Sequence, residues 1–325
     1  MTVAIDPAPL TSVRPPGRTF DRAFRGVAFV AGALVLVILA LIAVTMIVKA
    51  WPAFQSQGLS YFTGDVWDPQ SQTFGTLAFA FGTVVVSAIA VVIAVPVSIG
   101  IALFTTEVAP RWLRTPITYV IDLLAAVPSV VYGLWGVLVL APELPGFYTD
   151  VHDVVAPIPV LNTIFSGDPI SGRSFMTAGL ILAIMITPIV TAVARETFTT
   201  VPQSLKDAAQ ALGATRWETI RASVIPHSRS GLVAGVLIGL GRALGETIAV
   251  ALVIGSSPQI TAKLFSSGDA LAAVIANQFG ETTAGSDYQA ALIGMAVVLF
   301  ALTLVIGVIA RGFVARADRN SAGGA

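Results

Sequence analysis

The sequence predicts an all-α integral membrane protein with six transmembrane helices, and three observations carry that prediction. Six runs of about 20 apolar residues recur along the chain, the length a bilayer core demands of a helix. Only 11% of the 325 residues are charged and mean hydropathy is +0.86, against about a quarter charged in soluble domains. Basic residues also gather in alternate connections, which fixes an orientation.

The first 26 residues (MTVAIDPAPLTSVRPPGR…) are rich in proline and small residues and read as a disordered cytoplasmic tail. The first span follows at 27–48, with no small-residue cleavage site to make it a signal peptide, and an outer loop extends to 73. The remaining spans are expected at 74–104, 117–140, 175–195, 231–255 and 288–310. The second is too long for one straight crossing, so either Pro96 kinks it or its first turns stand outside the lipid. Unbroken apolar runs exclude the alternating strands of a barrel. A core over 74–311, with a connection at 196–230, and a cytoplasmic tail over 312–325 complete the organisation.

Fourteen basic residues fall on one side of this layout (Arg14, Arg18, Arg22, Arg25, Arg111, Arg114, Arg195, Lys206, Arg216, Arg221, Arg229, Arg311, Arg316, Arg319). Three, Lys49, Arg173 and Lys263, fall on the other, among acids such as Asp150, Asp153, Asp168, Asp269 and Glu281. Both termini are therefore expected in the cytoplasm. The absence of cysteine excludes disulfides and thiolate chemistry. The two histidines, His152 and His227, stand far apart and read as solvated loop residues, so no metal or other cofactor is expected. A net charge of zero gives no reason to expect a nucleic-acid partner.

The connection 196–230 has the marks of two short helices. Pro202 suits a first turn, Gly213 supplies a stop, and Leu205, Ala208, Ala209 and Leu212 share one face. Thr215 and Glu218 have capping-box spacing for the second helix, whose apolar side is Trp217, Ile220 and Val224 and which Pro226 ends. Such a hairpin either lies on lipid headgroups or packs against protein, and the small Ala208–Ala209 face favours protein.

Within the fifth run, GLGRALGETIA places Arg242 and Glu246 where nothing else from Gly231 to Gly255 is charged. Arg242 falls about eleven residues into the span, near the midplane at about 1.5 Å per residue. A charge there costs at least about 2.5–3.5 kcal/mol and so marks a functional site. At 100° per residue, Gly231, Gly235, Gly239, Arg242 and Glu246 share one face with little bulk, suited to close packing or to a passage. Arg242 is fitted to meet an oxyanion. Glu246 either accepts a P–OH proton or holds Arg242 in one rotamer, and a purely structural pair stands beside both readings. Asp122 reads as an interfacial ion pair, with Arg111 or Arg114 in reach, rather than as a substrate residue. Pro128 reads as a kink, and Gly133 and Gly136 as packing sites.

The stretch DAAQALGATRWETIRASVIP, Asp207 to Pro226, resembles the EAA loop of ABC importer permeases: Glu-Ala-Ala, three residues, Gly, nine residues, Ile-x-Leu-Pro. Ala208, Ala209, Gly213 and Pro226 match in register, while Asp207, Ser223 and Ile225 replace Glu, Ile and Leu. The resemblance implies a coupling helix, carried by Leu205, Asp207, Ala208, Ala209, Leu212 and Gly213, that sits in a groove of an ATPase subunit. GRALGET (241–247) together with VPSVVYGLWGVLVLAP (127–142) resembles the PstC-type permeases of phosphate ABC importers over nearly the whole chain. Sulfate and molybdate permeases carry a related Arg-x-Leu-Gly-Glu, so the YGLWG stretch is what points to phosphate.

That resemblance implies a type I ABC importer permease fold and a multi-pass protein of a bacterial inner (plasma) membrane. It also implies a substrate path at Arg242, Glu246, Gly235 and Gly239. Its implied partners are a homologous PstA-type permease, two PstB-type ATPase subunits, a PstS-type extracytoplasmic phosphate-binding protein and membrane lipid. The chain is not expected to be an enzyme itself, since no GxxxxGK[ST] loop is present. An ATP-independent anion transporter remains the alternative, although the repeated halves and driving-ion site it needs are not visible. An intramembrane enzyme finds no nucleophile–base pair in the spans.

Overall fold

The computed structural model describes residues 18–167 and 171–322. The tail expected over 1–26 lies outside the described residues up to Gly17, as do Asp168 and the last three residues. Packing divides the chain into two units, 1–48 and 49–325.

Helix α1 covers Arg18–Gln57 among the described residues and so is already helical ahead of the apolar run at 27–48. The second unit takes over within α1 at Lys49. A one-turn helix α2 (Ser60–Thr63) leads to a small antiparallel hairpin, β1 (Trp67–Asp68) and β2 (Thr73–Phe74), in which Trp67 pairs with Phe74 and Asp68 with Thr73. Helix α3 (Leu77–Leu103) runs through Pro96 without a break and ends in a π turn, Phe104–Val108.

Helix α3 buries a residue of small or moderate size at every fourth position: Ala78, Gly82, Val86, Ala90, Ala94, Ser98 and Ala102. That stripe lies along α8 (Phe175–Thr199), to which Ser98 donates a hydrogen bond at the carbonyl of Thr187, 3.0 Å away. Close helix approach through small side chains is how apolar helices associate where lipid removes the hydrophobic drive. Ile181, Leu182 and Ile186 of α8 and Val250 and Val253 beyond it complete this core.

The third expected span, 117–140, is displaced. Helix α4 (Arg111–Ala126) stops at Val127–Pro128, because proline lacks the amide and restricts the residue before it. The chain restarts as α5 (Ser129–Trp135), a π turn (Gly136–Leu140) and α6 (Ala141–Val155), and 129–155 is the stretch long and apolar enough to cross. Gly133 lies against the Ala249 backbone and Gly136 against Ile181 and Val253, which makes both packing sites. After α7 (Pro159–Ile164) and α8 come α9 (Gln203–Ala211), α10 (Arg216–Thr219), a π turn (Ile220–Val224) and α11 (Ile225–His227).

The fifth expected span is interrupted. Helix α12 (Arg229–Leu244) ends at Gly245, and α13 (Ile248–Val253) begins three residues later. A loop leads to α14 (Leu271–Gln278) and then α15 (Asp287–Ala322), which carries the last span and continues as helix through most of the tail expected over 312–325. Five helices among the described residues are long and apolar enough to cross a membrane, and a sixth is reached if Arg216–His227 and Arg229–Leu244, bent by 70°, count as one.

Candidate functional site

The first half of α12 is built for contact. A β-carbon on Gly231, Gly235 or Gly239 would run into Thr197, Val193 or Val190 of α8, so the three glycines form a close helix–helix seam. Of the two uses open to that bare face, packing is the one observed. Beyond the seam the helix loosens. Gly245 donates to Gly241 at 3.3 Å and Glu246 to Ala243 at 3.4 Å, and α13 restarts with Glu246 accepting from the amide of Ala249 at 3.3 Å. An interrupted helix at membrane depth is tolerated where the freed backbone is buried in protein or lines a cavity.

Arg242 and Glu246 meet across this interruption, Nη2 to Oε2 at 3.6 Å, and their surroundings differ sharply. The Glu246 side chain is 4% exposed and Arg242 47%. Glu246 borders a small cavity of about 10 Å³ with Thr83, Ser87 and Val250, where the Ser87 hydroxyl has no partner among the described residues. The guanidinium lies on the open side, where Gly241 has no neighbour within reach of a β-carbon and Gly245 meets only the Gly241 carbonyl. A fixed interior anion thus holds an accessible cation on a surface stripped of bulk. Gly241 and Gly245 were not singled out by face counting, which follows an unbroken helix. The sequence signal for the open side is their spacing around Arg242 (GRALG).

The other acids sort differently. Asp122 pairs with Arg195 of α8 at 3.8 Å, not with Arg111 or Arg114, because Arg114 turns back to donate through Nε to the carbonyl of Ala109. Asp269, expected in an outer loop, is 5% exposed and accepts from the amide of Ala270. Burial pushes its carboxyl up to about 6. His152 is a half-buried residue of α6 whose Nδ1 lies 3.0 Å from the carbonyl of Phe165, not a solvated loop residue, while His227 ends α11 exposed.

The 196–230 connection forms two helices, with Pro202 directly ahead of α9 and Gly213 at φ +87° behind it. Thr215 and Glu218 form the capping box, Thr215 N donating to Glu218 at 2.7 Å and Glu218 N to Thr215 at 3.4 Å. The second helix passes Pro226 to His227 instead of ending there, because the π turn before the proline absorbs its missing hydrogen bond. Ile220 and Val224 are buried, but Trp217 is 61% exposed and does not join them. On α9 no residue is buried, and Leu212, just after it, is 91% exposed. Lys206 is anchored to Glu107 of the α3 π turn at 2.6 Å, a pair 99 residues apart in sequence that no local pattern announces.

The helices have the fold of type I ABC importer permeases. An alginate-importing bacterial ABC transporter has a chain that superposes with TM-score 0.58, at 18% identity, over 92% of this chain and 99% of its own. A chain of the inward-facing MetNI methionine ABC transporter gives 0.54 at 14% identity, over 78% and 99%. Residues 94–321 match the family of binding-protein-dependent transport system inner membrane components. The phosphate transport system permease protein PstC of Xylella fastidiosa (strain Temecula1) is 44% identical over 301 residues, 92% of each chain. That of Mesorhizobium japonicum is 43% identical, over 93% of this chain and 92% of its own. The probable counterpart in Methanocaldococcus jannaschii is 36% identical, over 80% and 83%. The chain belongs to this family of inner membrane components, among its PstC-type permeases.

Proposed function

We propose that the chain is the permease subunit of an ATP-driven phosphate importer, forming half of a translocation path and coupling it to an ATPase. The observation that carries this is the Arg242–Glu246 pair at the interruption between α12 and α13: a guanidinium half exposed on a bare surface, fixed by a carboxylate 4% exposed. Phosphate is the anion in the names of the relatives that align over nine-tenths of the chain. Arg242 offers a planar fork to the anion's oxygens, while Glu246 keeps that fork aimed and is an acceptor for a P–OH proton. Gly235 and Gly239 support the path from behind, by letting α12 close on α8.

Half a path needs a second half, so the open side of Arg242 faces a homologous PstA-type permease. Two PstB-type ATPase subunits and a PstS-type extracytoplasmic phosphate-binding protein complete the assembly, and this chain performs no hydrolysis. Helix α9, with Leu205, Asp207, Ala208 and Ala209 on it, Leu212 and Gly213 behind it and Pro226 in the following helix, is the coupling element. That reading is supported by its lack of a single buried residue. Both termini lie in the cytoplasm of a multi-pass inner membrane protein, by the fourteen-to-three distribution of basic residues. The test is to purify the chain with a PstA-type permease and a PstB-type ATPase, add a PstS-type binding protein, and measure ATP hydrolysis with each anion. Stimulation by phosphate and not by sulfate or molybdate is expected. Stimulation by another oxyanion alone reassigns the substrate, and hydrolysis indifferent to every anion removes the importer reading.

A further inference from the structure

A second charged site lies at the end of the protein that carries α9, independent of Arg242. A cavity of about 290 Å³ opens between the α3 π turn, the start of α4, α9 and α10. Three cations line it, Arg114, Lys206 and Arg216, against one acid, Glu107. Lys206 and Glu107 satisfy each other at 2.6 Å, and both are about 15% exposed or less. The two arginines are left over. Arg114 commits only its Nε, to the carbonyl of Ala109, and Arg216 has no ion-pair partner among the described residues. Thr219 also borders the cavity, is 4% exposed, and its hydroxyl has no partner among the described residues.

Arg114 and Arg216 are both exposed and border the same cavity, and no acid among the described residues pairs with either. The occupant such a pair of forks fits is an anion with several oxygens that accept N–H donors. The cavity has room for a tetrahedral oxyanion together with waters. Glu107 is no obstacle, because Lys206 already neutralises it.

We infer that this cavity binds a phosphate group, presented either by inorganic phosphate or by an anionic phospholipid headgroup. Bound there, the group ties Arg114 of α4 to Arg216 of α10 and so fixes the α9–α10 hairpin against the rest of the protein. The site stands or falls separately from the role of Arg242.

The experiment is hydrogen exchange of the full chain in lipid nanodiscs, followed over residues 203–219. In phosphatidylcholine discs inorganic phosphate is titrated at constant ionic strength set with chloride; in a second arm discs containing phosphatidylglycerol are used without phosphate. Protection of 203–219 is expected in at least one arm. Phosphate alone identifies the free anion as the ligand, and phosphatidylglycerol alone the headgroup. Arg114→Gln and Arg216→Gln should each weaken the effect about tenfold or more, as the loss of a charge-assisted hydrogen bond does. Thr219→Val, which keeps shape and charge, should weaken it less and guards against a folding defect in the arginine variants. No protection in either arm, or protection unchanged in both arginine variants, overturns the inference.

Discussion

Asp269 shows most plainly what a single residue can hide. In sequence it is one acid among several in the outer connections, and in the structure it is 5% exposed behind Gly82 and Phe175. Burial raises its carboxyl to about 6, the bond from Ala270 N offsetting part of the shift. The folded chain therefore binds this proton more tightly than the unfolded chain does. The contribution of Asp269 to stability is fully present below about pH 4 and is lost as pH rises through about 6. Asp269→Asn keeps the acceptor for Ala270 and removes the charge. It should raise the thermal midpoint at pH 7.5, by a free energy of at most about 3 kcal/mol, and leave it nearly unchanged at pH 4. An equal effect at both values would contradict the burial argument. Arg242 and Glu246 were legible from sequence because a charge in an apolar run is conspicuous. Their unequal exposure was not, since it depends on α3 and α8 closing around one of the two.

Among the elements, those with local signals were legible. The capping box at Thr215–Glu218 and the stop at Gly213 follow from patterns a few residues long, and the spans α8 and α15 from unbroken apolar runs. Pro128 was legible as a kink though not as a helix end, and the interruption at Gly245 was missed, because hydropathy runs smoothly through both. Helix α9 illustrates a third case: its ends were legible, while the Lys206–Glu107 anchor joins segments 99 residues apart. Gly213 sits at φ +87°, where a β-branched residue costs about 1–2 kcal/mol or more. Gly213→Val should therefore tilt or unwind the end of α9 and reduce phosphate uptake at least severalfold, with the chain still inserted at normal levels. Ala209→Glu, which adds a charge to the face without touching the backbone, should act alike. Uptake at wild-type rates in both variants would show that the hairpin rests on lipid and docks with nothing.

For the whole molecule, the distribution of basic residues predicts that a cysteine replacing Asp153 reacts with an impermeant label from outside intact cells, whereas a reporter fused after Arg319 stays cytoplasmic. Protection of the Asp153 site would overturn that orientation. Within such a frame, every feature near the middle of the fifth span serves one arrangement. The glycine seam seats α12 on α8, the interruption turns Glu246 inward, and Arg242 is left half exposed on the bare side, which the proposed path would share with a second subunit. The most direct measurement is phosphate uptake by complexes carrying Arg242→Leu, Glu246→Leu or both, with assembly checked in each. Removing one member of a pair whose carboxylate is buried strands a charge, whereas removing both does not. A pair kept only for structure thus predicts recovery in the double variant. An anion path predicts none: Arg242→Leu should reduce uptake at least tenfold, Arg242→Lys should retain part of it, and the double variant should be as inactive as Arg242→Leu alone. Uptake restored by the double leucine substitution would contradict the account.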